Sequence, residues 1–154
     1  MNMNISTLGH RDMRRPGSSS GGAFVTERLS ADFLIDGKSL LQTLVKTDGG
    51  HSDFMSCLVS GFPKANQKAL AKLLCKASPD TERGGVLLYI CPECGDIGCG
   101  AYTACIRKTD GGFVWENFAF ENGREEPVIA ASVGPFHFAG DAYRTALSQA
   151  AYSC

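Results

Sequence analysis

The chain of 154 residues carries a formal net charge of −1. That size suits one domain able to bury a core without disulfide or metal staples. The charge excludes the broad basic field of nucleic-acid or anionic-membrane binders, and no apolar run nears the ~20 residues that span a bilayer.

Residues 1–22, MNMNISTLGHRDMRRPGSSSGG, are polar and rich in Gly and Ser, with Arg11, Arg14 and Arg15 close together. Such a composition buries too little surface to offset ordering entropy. It predicts a flexible polar tail over 1–22 and a single domain over 23–154. It also lacks the apolar stretch of a secretory signal, so the expected location is the cytoplasm.

From residue 24 the pattern changes. Residues 24–29 and 33–35 read as short β pieces. Leu40, Leu41, Leu44 and Val45 recur at helical spacing, with Asp36 or Ser39 near the start and the turn letters KTDGG closing the helix. The apolar run DFMSCLVSGFP, 53–63, fits either a strand or a short helix. In KANQKALAKLLCKAS, 64–78, Leu70, Leu73, Leu74 and Ala77 make one helical face, with Asn66 a turn earlier on the same side. Lys64, Lys68, Lys72 and Lys76 form a basic stripe on another face, either a solvated surface or a dock for an acidic partner. Cys57 and Cys75 sit among apolar letters and read as small buried side chains. Cys154, the last residue, reads as exposed.

The second half reads as sheet. GGVLLYI, 84–90, is apolar on both faces, as a central strand is. AYTACIRK, 101–108, and FVWENFAFE, 113–121, flank the hairpin signal TDGG. Alternation sends Phe118 and Phe120 to one face of the latter strand, toward the core, and Trp115 to the other. Residues 128–138 supply a fourth strand. A final helix follows, with Asp141 as candidate N-cap and Tyr143, Leu147, Ala150 and Ala151 inward. The expected fold is α+β, an antiparallel meander with about three helices packed mainly on one face.

The segment ICPECGDIGCGAYTAC, 90–105, holds four of the seven cysteines. An odd total rules out complete intramolecular pairing, and a reducing compartment keeps most as thiols. Cys91 and Cys94 have the spacing that turns two sulfurs onto one ion, and Cys99 is near enough to be a third ligand. Structural zinc takes four. Cys105 lies on the next strand, roughly 20 Å from Cys99 if that strand is straight, and nothing links His51 or His137 to the turn. Pro92, Gly95, Gly98 and Gly100 equally fit a tight connection with reduced thiols. A redox pair is less apt, because C-x-x-C is activated at a helix start and here it ends a strand. His137, between Phe136 and Phe138, is expected to point outward. No nucleophile elbow, P-loop, dinucleotide fingerprint or zincin motif occurs. Glu116, Glu121, Glu125 and Glu126 cluster around the end of the Trp115 strand, where they could face a basic partner.

The letters LLYICPECGDIGCGAYTACI, VWENFAFEN and GPFHF, across about 84–145, resemble a family of small bacterial proteins with a C-P-E-C-G-D-x-G-C-G turn. In size and α+β make-up the chain is also similar to immunity proteins of contact-dependent growth inhibition and related polymorphic toxin systems. That resemblance implies a cytoplasmic, non-enzymatic partner that occludes a toxin, commonly a nuclease. Neither nucleic acid nor membrane is then a direct ligand. On this reading Trp115, Glu116, Glu121, Glu125 and Glu126 are the expected binding residues, and no cofactor is needed. The alternatives are a small zinc protein using Cys91, Cys94 and Cys99, and an enzyme with a cysteine nucleophile.

Overall fold

The structure is a computed structural model and describes residues 4–20 and 23–153. Its strands are β1 (Ile5–Ser6), β2 (Leu8–Arg15), β3 (Ser18–Ser20), β4 (Ala23–Val25), β5 (Arg28–Ile35), β6 (Lys38–Ser39), β7 (Met55–Ser56), β8 (Gly85–Ile90), β9 (Ala101–Lys108), β10 (Gly112–Glu121), β11 (Val128–Ile129) and β12 (Phe136–Ala139). The α-helices are α1 (Leu40–Asp48), α2 (Pro63–Leu73) and α3 (Gly140–Ser153).

The expected α+β meander forms the centre. β8, β9 and β10 pair antiparallel in chain order, joined by the cysteine-rich segment and by a tight turn in which Thr109 N–H donates to Gly112 O at 2.7 Å. β12 adds antiparallel to β10, and β1 adds parallel to β12. The order is then β1-β12-β10-β9-β8-β7, with β11 beside β10. A second antiparallel sheet has the order β2-β5-β6.

The two sheets meet at the ambiguous run 53–63. Met55 and Ser56 pair with β8, and Cys57 N–H donates to Leu88 O at 2.9 Å. The next residues turn to β5: Ala31 N–H donates to Leu58 O at 3.0 Å and Ser60 N–H to Leu29 O at 2.7 Å. Backbone groups are thereby shared between two partners while Phe54, Met55, Leu58 and Val59 are all buried. Burial on both sides erases the periodicity that would have named a strand.

Leu40, Leu41 and Leu44 of α1, Leu73 of α2 and Tyr143 and Leu147 of α3 share a core with Phe33, Leu88, Trp115 and Phe118. The Trp115 indole N–H donates to Tyr143 Oη at 2.9 Å, and the Tyr143 hydroxyl donates to Leu73 O at 2.5 Å, tying β10, α3 and α2 together. Asp32 is fully buried and is satisfied by the hydroxyls of Tyr89 and Ser39, each at 2.6 Å, and by Arg11 Nε at 3.2 Å. Ser39 also caps α1, accepting from Gln42 N–H at 3.1 Å.

Several expectations need correction. Residues 5–15 are not a flexible tail: β2 pairs along its whole length with β5, from Leu8 opposite Ile35 to Arg15 opposite Arg28. Backbone pairing and ion pairs of Arg11 and Arg15 hold a segment whose side chains are too polar to predict it. The boundary at 22 therefore does not divide tail from fold; residues 1–3, 21–22 and the Cys154 reading lie outside the described residues.

α2 stops at Leu73, and Cys75, at φ 58°, turns the chain away and is exposed rather than buried. Lys76 therefore leaves the stripe, and Lys72 pairs with Asp80. Asn66 is buried because its side chain holds both Val59 N–H and Val59 O at 2.9 Å. Asp141 sits inside the first turn of α3 rather than ahead of it.

Strand β10 breaks the alternation rule. Its pairing with β9 shifts register between Glu116 and Ala119, and Asn117 has φ 53°. This bulge moves one residue out of the ladder and reverses parity beyond it. Trp115 and Phe118 are thus both fully buried, with Phe120 packed against the same core.

Candidate functional site

The cysteine turn is built from local hydrogen bonds. After β8, Gly95 N–H donates to Cys91 O at 2.9 Å. Asp96 then accepts from Gly98 N–H at 2.8 Å and caps a short 3-10 turn over Ile97–Cys99. Gly100 closes the segment at φ 100°; a Cβ there would stand 2.3 Å from Phe120 Cζ, so the phenyl ring needs glycine beneath it. These turns bring the sulfurs of Cys91, Cys94 and Cys99 within 4.8 Å of one another. Cys94 and Cys99 are exposed and at disulfide distance, with Cα atoms 6.7 Å apart. Cys91 is half-buried.

The trio read from the sequence therefore converges, close enough to hold a metal ion. Cys105 does not join it: it lies on β9 opposite Gly85, with Sγ 3.8 Å from Arg83 O. His51 stacks on Phe54 and accepts from Asp53 N–H at 3.1 Å. His137 pairs across from Val114 on β12 and is half-buried rather than fully outward. As thiolates the three sulfurs are a soft donor set. As a disulfide, Cys94 and Cys99 leave Cys91 the one thiol of the three.

Glu93, between Cys91 and Cys94, fastens the turn to the N-terminal sheet. It accepts from Thr26 N–H at 2.8 Å, from Arg15 Nη1 at 2.5 Å and from the Thr26 hydroxyl at 2.9 Å. The Thr26 N–H first, then Arg15 and the Thr26 hydroxyl, hold its carboxyl at about 2, against an ordinary value of 4.5. Arg15 also forks onto Asp53 with two contacts of 3.0 Å, and Arg28 Nε donates to Pro92 O at 3.1 Å. Sequence reasoning missed this latch because no local pattern links Arg15 to a residue so far along the chain.

An acidic cleft lies beside the turn. Asp80, Glu82 and Arg83 on the approach to β8, Glu121 at the end of β10, and Glu125 and Glu126 after it line the cleft together with Ile97 of the cysteine turn. Arg124 Nη2 donates to Gly98 O at 3.1 Å, joining the acidic loop to the turn. Arg83 Nε lies 2.9 Å from Glu121 Oε2, and Arg83 Nη2 donates to Asn117 O at 2.9 Å. Lys72 neutralises Asp80. Among the described residues, the exposed Glu82, Glu125 and Glu126 have no ion-pair partner.

The expected binding residues separate on this geometry. Trp115 is fully buried and touches no solvent, a consequence of the bulge. Glu121 is buried against Arg83 and Thr103, whose hydroxyl donates to it at 2.5 Å. Glu116 pairs with Arg107 at 2.7 Å across to β9. Glu125 and Glu126 remain open to a partner, and Glu82 joins them. Glu82 was illegible in sequence because its loop reaches the cleft only through the pairing of β8, β9 and β10. No helix among the described residues is long and apolar enough to cross a membrane. No family model, no curated protein and no solved structure matches the chain.

Proposed function

We propose that this chain is a cytoplasmic, non-enzymatic binding protein that neutralises a basic toxin, such as a nuclease, by covering its active cleft. The observation that carries the reading is the set of uncompensated carboxylates, Glu82, Glu125 and Glu126, brought from two distant segments to one open cleft. Like charges gathered on one surface repel each other, and a basic protein docking there relieves that repulsion. Such a field repels nucleic acid, speeds encounter with a basic partner and imposes a salt dependence on binding. Buried Glu121 and its Arg83 serve as scaffold, and the exposed carboxylates form the contact rim. The test is co-expression with the product of the adjacent upstream gene in a sensitive bacterium. The reading requires that the chain restore growth, and unrelieved toxicity, or no toxicity to relieve, counts against it.

A second reading is favoured by the three converging sulfurs. The chain binds zinc through Cys91, Cys94 and Cys99, with water in the fourth position. A reducing cytoplasm keeps these residues reduced, so that they can lose their protons to a metal and bind it as thiolates. Zinc content of untagged, reduced protein, measured by elemental analysis, tests it: near one ion per chain supports it and none refutes it.

A further inference from the structure

We propose that zinc and the Cys94–Cys99 disulfide are alternative occupants of one site, so that thiol redox state gates metal binding beside the acidic cleft. The inference rests on the zinc reading above and adds its regulation. Zinc is ligated by thiolate sulfur. With Cys94 and Cys99 joined, as their placement allows, Cys91 alone among the three can ligate. One thiolate is too few for zinc, whereas three thiolates and a water complete a tetrahedron.

Both residues of the pair are exposed, which opens the site to small reductants and oxidants. Reduction by a dithiol breaks the S–S bond; two electrons and two protons pass to Cys94 and Cys99, and the dithiol closes to its own cyclic disulfide. Zinc then displaces the protons of three thiols and forms three Zn–S bonds. A hydroperoxide reverses this. Cys94 and Cys99 together give up two electrons and form the S–S bond. The peroxide takes these electrons with two protons from solvent, giving two waters in the case of hydrogen peroxide; the three Zn–S bonds break, Cys91 takes up a proton and the metal is released.

The gate is connected to the cleft by the chain itself. The loop closed by Cys94 and Cys99 contains Ile97, which lines the cleft, and Gly98, whose carbonyl holds Arg124 of the acidic loop. Exchange of a direct S–S bond for sulfurs spread around an ion resets the spacing of Cys94 and Cys99, and with it the loop between them that carries Ile97 and Gly98. Glu93, clasped by Thr26 and Arg15, keeps the base of the turn fixed meanwhile.

The experiment titrates zinc, and separately cobalt(II) as a spectroscopic probe, into full-length protein in two states. One is dithiothreitol-reduced and freed of reductant; the other is oxidised with hydrogen peroxide to the Cys94–Cys99 disulfide, verified by peptide mass. Expected for the reduced state are one ion per chain, a thiolate-to-cobalt charge-transfer band, and protection of Cys91, Cys94 and Cys99 from iodoacetamide. The oxidised state is expected to show none of these, and peroxide added to the zinc form to release the ion with loss of two thiols. Cys91→Ser should abolish binding and Cys75→Ser should leave it intact; if Cys91→Ser does not fold, the alkylation map on unaltered protein identifies the ligands instead. Equal zinc binding by both states overturns the gate while sparing the zinc reading. No zinc in the reduced state overturns both.

Discussion

Trp115 and Phe118, three positions apart on β10, lie fully buried in one core. Asn117 makes this possible by taking φ 53° at the bulge between them. Asparagine tolerates that left-handed conformation, glycine adopts it freely, and a β-branched residue there costs about 1–2 kcal/mol. Asn117→Gly should therefore keep most of the stability and Asn117→Val should lose that amount in urea unfolding. Equal loss in both variants would show that the asparagine side chain, not the backbone conformation, matters.

The buried carboxylate of Asp32 depends on its donors. Burial first, and the charge of Asp32 second, push the pKa of the Tyr89 hydroxyl well up, so it stays a donor at 2.6 Å. Tyr89→Phe removes that donor and leaves a buried carboxylate oxygen short of a partner, at a cost of about 1–3 kcal/mol. Chemical denaturation measures it; a change below a few tenths would mean that water replaces the hydroxyl.

How far the sequence was legible follows from the range of each interaction. The meander, the hairpin at 109–112, the Ser39 cap and the convergence of Cys91, Cys94 and Cys99 were legible because each is written within a few residues. The order of 5–15 was not, because β2 is held by β5 and by Arg15 reaching Glu93 and Asp53. The burial of Trp115 was lost to one bulge residue, since a single insertion inverts every side chain beyond it. Glu125 and Glu126 were legible as an exposed acidic loop, but Glu82 opposite them was visible only in the folded sheet.

The latch at Glu93 carries a pH signature. Its folded pKa, about 2, lies below the ordinary 4.5, so its stabilisation is complete above 4.5 and lost as pH falls toward 2. Glu93→Gln should melt below the parent at neutral pH, and the gap should close across that acidic window. A gap that stays constant through the window would show that the carboxylate charge contributes nothing to the latch.

Gly100 should resist even the smallest substitution. Gly100→Ala sets a Cβ 2.3 Å from Phe120 Cζ at a φ of 100°. Overpacking of this kind costs about 1–3 kcal/mol. Phe120→Leu in the same chain should recover the steric part but not the backbone part, giving a positive coupling in a double-mutant cycle. Strict additivity would place the clash elsewhere.

The most direct measurement of the central claim is the association rate with the toxin identified by growth rescue, for the parent chain and for a Glu82→Lys, Glu125→Lys, Glu126→Lys triple variant, across a salt series. All three side chains are exposed, so the variant should melt like the parent. The account predicts a slower on-rate by ~10-fold or more at low salt and a flattened salt dependence. An unchanged on-rate and the same salt slope in a folded triple variant would contradict it.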